Sequence, residues 1–289
     1  MTLRDVVRDG VERTLSVALR RTLPGDRLIL AYHNVVPAGS PGCGDRSLHL
    51  PVDRFEAQLQ CLREETDVVA LDELLRAGHS RARLAAITFD DAYASALALG
   101  VAACVSRNMP CTVFVAPALL GQVPIWDSMA QRGQWADSDR HRFLWEQRGL
   151  GAPALGDATT DNLRIATEPE LLAACGQRGV TVGNHTMHHA NLGALSTAEA
   201  AAELTEAGEW LRARFPAAAP VVAYPYGIAP RDRGAAVPPA GLTHGLEVTG
   251  GWWRAGQAVV PLAVPRWNVP AGLSVRGFRV RVRGWFAGA

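Results

Sequence analysis

Leu84-Ala85-Ala86-Ile87-Thr88-Phe89-Asp90-Asp91 is a short apolar run closed by two carboxylates. A run of this kind reads as a buried strand. Residues from about Ala94 to Arg107 have helical spacing, and a second apolar run follows at Cys111 to Val115. Strand, helix, strand is the crossover unit of a parallel sheet. The same alternation extends in both directions. Upstream, Leu28 to Tyr32 reads as a strand that stops at His33-Asn34. A Pro-, Gly- and Ser-rich loop then leads to a helix over Asp53 to Arg63, with Phe55, Leu59 and Leu62 on one face. Val68 to Leu71 is a further strand candidate, and Asp72 to Ala77 a short helix. Downstream, residues 117–166 form a long insertion with some helix, Glu168 to Arg178 is helical, and Val180 to Gly183 is a strand. Ser196 to Phe215 is a helix opened by the capping-box pattern Ser196-Thr197-Ala198-Glu199, and Val221 to Tyr224 is another strand. The pattern predicts an α/β fold with a parallel sheet or barrel. In such barrels the chemistry sits at the C-terminal ends of the strands. Those ends here carry His33, Asp90-Asp91, His185 to His189, and Tyr224 to Gly227.

The chain has 289 residues, with 29 basic side chains against 28 acidic ones, net +1. That balance excludes a general nucleic-acid binder, which needs a strong basic excess. Every basic side chain other than His is Arg; the absence of Lys removes Schiff-base chemistry. Cys43, Cys61, Cys104, Cys111 and Cys175 are odd in number and widely spaced, without a CxxC pair, so neither a disulfide framework nor a Cys-based zinc site is expected. No apolar stretch is long enough to span a membrane.

Residues 1–26 read as an amphipathic helix, with Leu3, Val7, Val11, Leu15, Leu19 and Leu23 at helical spacing and an Arg-rich polar face, ended by Pro24-Gly25. It could dock on the domain or lie on a membrane surface. Its interspersed charges leave no apolar core for an export signal, so the expected location is the cytoplasm, with a possible peripheral contact to the inner face of the membrane. At the other end, Arg276 to Trp285 alternates Arg with Val and Phe. As a strand this places Arg279, Arg281 and Arg283 on one face, either a solvated edge or a contact for anionic lipid.

Asp90-Asp91 can be a helix cap plus a first-turn acid, or a metal ligand beside a base. Gly183-Asn184-His185-Thr186-Met187-His188-His189 places three of the eight His within five residues. His185 and His189 are four apart, which lets two imidazoles meet one ion, although His188 competes at its own spacing. Two imidazoles and a carboxylate form a facial set with open positions, as hydrolytic metal sites require. Pro225-Tyr226-Gly227 can simply reverse the chain, or present a backbone N–H to a developing oxyanion.

In order, Thr88-Phe89-Asp90-Asp91, His185-Thr186-Met187-His188-His189 and Tyr224-Pro225-Tyr226-Gly227 resemble the motifs of the polysaccharide deacetylase family, carbohydrate esterase family four. Ala31-Tyr32-His33-Asn34-Val35, Trp126-Asp127 and Pro265-Arg266-Trp267-Asn268-Val269 are similar to the branch with a Tyr-His strand near its start. The resemblance implies a distorted parallel (β/α) barrel with fewer than eight strands. It would occupy residues 27–270, carry the insertion at 117–166, and be followed by a basic extension at 271–289. It also implies roles: Asp90 as general base; Asp91, His185 and His189 as ligands of a divalent metal, usually zinc and sometimes another first-row ion; the Tyr226 N–H at the oxyanion; and His33 as general acid.

This sequence departs from the family pattern at several points. Ala92 stands where Gly is usual, and Ala190 where Pro is usual. No Arg precedes the Pro-Tyr-Gly turn, which leaves Arg266 as the candidate support for Asp90. No late Leu-His motif is visible, so His244, in a loop-like setting, is the alternative acid. The implied activity is removal of an N-acetyl or similar N-acyl group from an amino sugar in a glycan precursor, glycolipid or secondary-metabolite intermediate. An O-acetyl esterase, a deformylase and an inactive sugar-binding homologue are the alternatives. Trp126, Trp135 and Trp145 could form a sugar platform or pack in the core.

Overall fold

A computed structural model describes residues 26–40, 43–78, 81–150 and 162–284. The helix expected before Pro24 lies outside the described residues. Strand β1 (Asp26–Tyr32) runs into β2 (Asn34–Val36), which pairs with β3 (His49–Pro51) in a small separate ladder. The helix Val52–Glu65, the two-residue β4 (Asp67–Val68) and the helix Leu71–Arg76 lead to β5 (Leu84–Phe89). A π-helical turn over Ala96–Val101 continues as the helix Ala102–Ser106 and returns the chain to β6 (Cys111–Val115). The insertion holds the helices Ile125–Gln131 and Asp137–His141 and a second π-helical turn, Arg142–Glu146. The helix Glu168–Cys175 precedes β7 (Val180–Asn184), and the helix Thr197–Arg214 precedes β8 (Val221–Ala223). Then come β9 (His244–Glu247), β10 (Trp252–Arg254), β11 (Val264–Pro265), β12 (Trp267–Asn268) and the helix Val275–Val282.

The strand pairings make a barrel. β1, β5, β6, β7, β8 and β9 lie side by side, all parallel. β11 then pairs parallel with β9, and β12 parallel with β1, so the segment Val264–Asn268 closes the sheet on itself. Counting that segment as one stave gives seven, so the barrel has fewer than eight. β10 adds an antiparallel edge to β1. Period-2 alternation divides the side chains. Leu28, Leu30, Ala85 and Ile87 face the helices, whereas Ile29, Ala86, Phe114, Ala223, Leu246 and Val264 form a second buried cluster inside. The interior is narrow. A Cβ on Gly183 of β7 would stand 2.4 Å from the Phe114 ring, so only glycine admits that ring.

The C-terminal segment differs from expectation. Residues 275–282 are a helix, not a strand, capped by Ser274, whose hydroxyl accepts the Gly277 N–H at 3.0 Å. Phe278 stacks on Trp267 with ring centroids 5.4 Å apart, and Val282 is buried. Arg279 pairs with Glu64 and Glu65, and Arg283 with Glu65, across the helix Val52–Glu65. The alternating pattern misled because these Arg stems cover apolar surface while their heads meet a neighbouring acidic helix end. No described helix is long and apolar enough to cross a membrane.

Candidate active site

The strands deliver the motif residues to one rim. Tyr32 and Phe89 are cross-strand partners, and the Asp90 N–H donates to the Tyr32 carbonyl at 2.8 Å. That bond sets the residue after β1, His33, beside the residue after β5, Asp90. His33, Asp90, Asp91, His185, His189 and Tyr226 all line one cleft of about 250 Å³.

Past Asp90 the backbone turns through two left-handed residues, Asp91 at φ 67° and Ala92 at φ 61°. The residue that replaces the usual Gly therefore does occupy a glycine-favouring conformation, at a cost of about 1–2 kcal/mol. The same device shapes the His motif. Thr186 and His189 have φ of 63° and 58°, and the Asn184 side-chain oxygen accepts the Thr186 N–H at 2.8 Å. As a result His189 points into the cleft. His188, the alternative ligand, points out and pairs with Glu203 at 2.8 Å.

Asp90 is held by Arg266. The guanidinium donates to both carboxylate oxygens, at 2.7 and 2.8 Å, and to the Thr88 hydroxyl at 3.2 Å. Arg266 is fully buried because it sits between β11 and β12, where the barrel closes, with its head over the Phe114 ring at 5.6 Å. Burial pushes the Asp90 carboxyl up. The Arg266 charge, His185 and the paired hydrogen bonds outweigh burial and hold it below the ordinary carboxylate value.

Asp91, His185 and His189 bring one ligand atom each within 4.8 Å of one another. The Asp91 Oδ1 atom lies 3.4 Å from His185 Nε2 and 3.0 Å from His189 Nε2, yet it is buried without a well-aligned hydrogen bond. The far sides of both imidazoles are committed. His185 Nδ1–H donates to the Ala223 carbonyl at 2.7 Å. His189 Nδ1 lies 3.0 Å from the Tyr226 hydroxyl, which itself donates to the Gly149 carbonyl at 3.4 Å and so accepts from His189. Both Nε2 lone pairs then converge with an unbonded carboxylate oxygen, an arrangement that a divalent cation satisfies. The donor set of two imidazoles and a carboxylate suits zinc or a neighbouring first-row ion. Burial pushes the Asp91 carboxyl up; with no ion bound, protons on the two imidazoles, His189 foremost, hold it far below its ordinary value.

Tyr226 sits in a left-handed turn at φ 59°, and its burial raises the phenol well above its ordinary pKa, so it stays a hydroxyl. The contact of that hydroxyl with His189 was not evident from the sequence. His244 is not in the cleft. It opens β9 at the strand's N-terminal end and lines a separate cavity with Arg27 and Leu74. Trp126 and Trp135 line the cleft, and Trp145 does not. Trp126 is buried with its ring 4.5 Å from that of His189. Sequence reasoning assigned no role to His49, Tyr93 or Asp127, which form a buried hydrogen-bonded set behind the cleft; only the dipeptide Trp126-Asp127 stood out.

Comparison with known proteins agrees with this architecture. Residues 77–245 match the family model described as polysaccharide deacetylase. No curated protein matches the chain in sequence. Among solved structures, IcaB from Ammonifex degensii superposes with a TM-score of 0.64 at 17% identity, covering 90% of this chain and 97% of that one. The Streptococcus pyogenes deacetylase PplD, in complex with acetate, gives 0.60 at 17% identity, covering 88% and 96%. A de-N-acetylase from Aggregatibacter actinomycetemcomitans gives 0.62 at 13% identity, covering 88% and 98%. At such identities the likeness is one of fold. The sequence match covers more than half the chain, though it begins after His33 and ends before Arg266, which join the site through geometry alone. This chain belongs to the polysaccharide deacetylase family, the carbohydrate deacetylases.

Proposed function

We propose that this protein is a metal-dependent hydrolase that removes an N-acetyl or similar small N-acyl group from an amino sugar. The observation that carries the reading is the unbonded Asp91 Oδ1 facing two imidazole nitrogens, with an ionised Asp90 fixed beside it. Asp91, His185 and His189 would hold the ion. What a divalent ion supplies in such a set is Lewis acidity, which polarises a carbonyl and makes water nucleophilic near neutrality.

The chain's own residues supply the proton transfers. Arg266 keeps Asp90 ionised, and it occupies only one lone pair on each oxygen, so the carboxylate can still accept a proton from the attacking water. The Tyr226 backbone N–H, carried by the turn at the rim, is assigned to the carbonyl oxygen as negative charge gathers there. The C–N bond then breaks, and the departing amine takes a proton from His33, which lines the same cleft. The products are a small carboxylic acid and a free amino sugar.

The cleft volume of about 250 Å³ suits a single sugar ring at the reacting position, in a glycan precursor, glycolipid head group or small amino-sugar intermediate. Trp135, held by a hydrogen bond from its Nε1 to Asp45 at 2.9 Å, is the aromatic wall for that ring. The test is acid release from a panel of N-acetyl, N-formyl and O-acetyl sugars, with and without chelator. Chelator-sensitive acetate release from N-acetyl sugars supports the reading. Turnover confined to O-acetyl or N-formyl sugars replaces it with an esterase or a deformylase, and no turnover with a binding protein.

A further inference from the structure

Asp127 is fully buried in the helix Ile125–Gln131, and the basic side chain bonded to it is an imidazole, that of His49. A buried carboxylate is costly unless donors surround it. Three do, from two parts of the chain: the Tyr93 hydroxyl at 2.8 Å, and from one loop His49 Nε2–H at 3.0 Å and the Asp45 backbone N–H at 2.7 Å. Packing around the carboxylate is close, since a Cβ on Gly44 would fall 2.4 Å from its Oδ1.

Each donor leads to a different side of the cleft. Tyr93 follows the Asp91-Ala92 turn, and its oxygen also accepts the Trp126 Nε1–H at 2.9 Å, which fixes the ring that lies on His189. His49 reaches Asn34, the neighbour of His33. The Asn34 side-chain N–H₂ donates to the Asn162 carbonyl at 2.6 Å and to His49 Nδ1 at 3.1 Å, while its oxygen accepts from Ser95 at 2.5 Å. With Nδ1 accepting, the proton of His49 is on Nε2 and points at Asp127. Asp45 carries the loop that walls the cleft and anchors Trp135.

The geometry points to Asp127 as a positioning residue: one buried carboxylate that holds the metal-ligand side, the His33 side and the sugar wall of the cleft in register. This inference rests on the metal reading proposed above. Its chemistry calls for a carboxylate and not an amide. All three partners are donors, and the Tyr93 oxygen is already taken by Trp126, so its own proton needs an acceptor. Asp127→Asn keeps the shape but turns an amide N–H₂ toward a donor, leaving one buried donor unmatched.

The experiment measures Zn²⁺ affinity by dye competition on the folded full chain, with circular dichroism confirming the fold at the working temperature. Partners behind a ligating imidazole are worth about 10–100-fold in metal affinity. Because Asp127 acts through Tyr93 and Trp126, Asp127→Asn and Tyr93→Phe should each weaken Zn²⁺ binding about tenfold, the low end of that range. The double variant should be no weaker than the worse single one, because both cut the same route. Leu59→Ala, a core truncation in the helix Val52–Glu65 that touches none of these hydrogen bonds, should lower the melting temperature and leave Zn²⁺ affinity unchanged. Affinities within twofold of wild type in both Asp127→Asn and Tyr93→Phe, or multiplicative losses in the double variant, would overturn the inference. If Asp127→Asn does not fold, Tyr93→Phe alone decides on the same criterion. A wild type that binds no Zn²⁺ overturns the metal reading, and this inference with it.

Discussion

Arg266→Met tests the link between the barrel's closure and its chemistry. In the wild type both Asp90 oxygens are bonded to a guanidinium that is itself fully buried. Removing one partner of a buried pair typically costs about 3–5 kcal/mol. Here the loss has a ceiling, because Asp90 can take up a proton instead. Neutralising a carboxyl of ordinary pKa near 3.9 at pH 7 spans about three pH units at about 1.36 kcal/mol each, or about 4 kcal/mol. For a chain of this size that lowers the melting temperature by roughly 8–16 °C. The sign of the pH dependence follows. Wild-type Asp90 has a depressed pKa. Its contribution is fully present above the unfolded value and lost as pH falls through the folded one. In the variant the folded state carries the proton, so the stability gap to wild type should narrow by about 1.4 kcal/mol per unit as pH drops from 7 toward 4. Activity should move in parallel, with the acid limb of kcat/KM displaced upward by more than about three units, since Asp90 must hold its proton at pH 7. Denaturant melts at pH 5, 6 and 7 and a kcat/KM profile measure both. A gap that stays constant with pH, or an unshifted acid limb, would show that Arg266 is only a packing residue.

The remaining expectations divide the roles of the site. His189→Ala should abolish stoichiometric metal and hydrolysis while His188→Ala, whose imidazole faces Glu203 outside the cleft, should keep both; metal content by mass spectrometry reads this directly. Asp90→Asn should retain metal and lose most turnover, whereas Asp91→Asn should lose the metal itself, so equal metal loss in the two would contradict the split. His33→Ala should keep metal and slow amide turnover roughly 10²–10⁴-fold, with a smaller defect on esters that have good leaving groups. His244→Ala should leave turnover unchanged, since that residue lines the cavity at the other end of the barrel.

Legibility in the sequence followed the physics of each element. β5, β6 and β7 are buried runs whose apolar residues need no partner to be recognised, and they lie within a residue or two of their expected bounds. β9 to β12 were not foreseen. β11 and β12 have two residues each, rich in Pro and Trp, and they are strands only because the barrel closes there. That is a property of the whole sheet, and no local window carries it. The motif residues His33, Asp90, Asp91, His185, His189 and Tyr226 were legible because each ends a strand, and strand ends of a parallel barrel share a rim. Arg266 was suggested by a gap, the missing Arg before the Pro-Tyr-Gly turn. The set behind the cleft left less trace. Asn34 and Asp127 fall in segments similar to the family, but His49 and Tyr93 are ordinary in their own neighbourhoods, and no local window shows that the four are bonded together.

The strain in this molecule shows why that hidden set matters. Among the described residues seven that are not glycine have left-handed backbones, and five of them, Asp91, Ala92, Thr186, His189 and Tyr226, belong to the site motifs. Each costs about 1–3 kcal/mol and persists only where its surroundings over-determine it. The surroundings do so here. Asn184 and Thr186 bond the backbone of the His turn, at 2.8 Å to Thr186 and 3.2 Å to Ala190. Trp126 closes over His189, and Tyr93 holds both Trp126 and Asp127 just past the Asp91 turn. A left-handed residue redirects its side chain relative to a continuing strand or helix, so these turns aim Asp91 and His189 at one point from two different strands. The buried hydrogen bonds then keep that aim. The cost is local, and the return is that Asp91, His185 and His189, the proposed ligands, face one another without an ion to gather them.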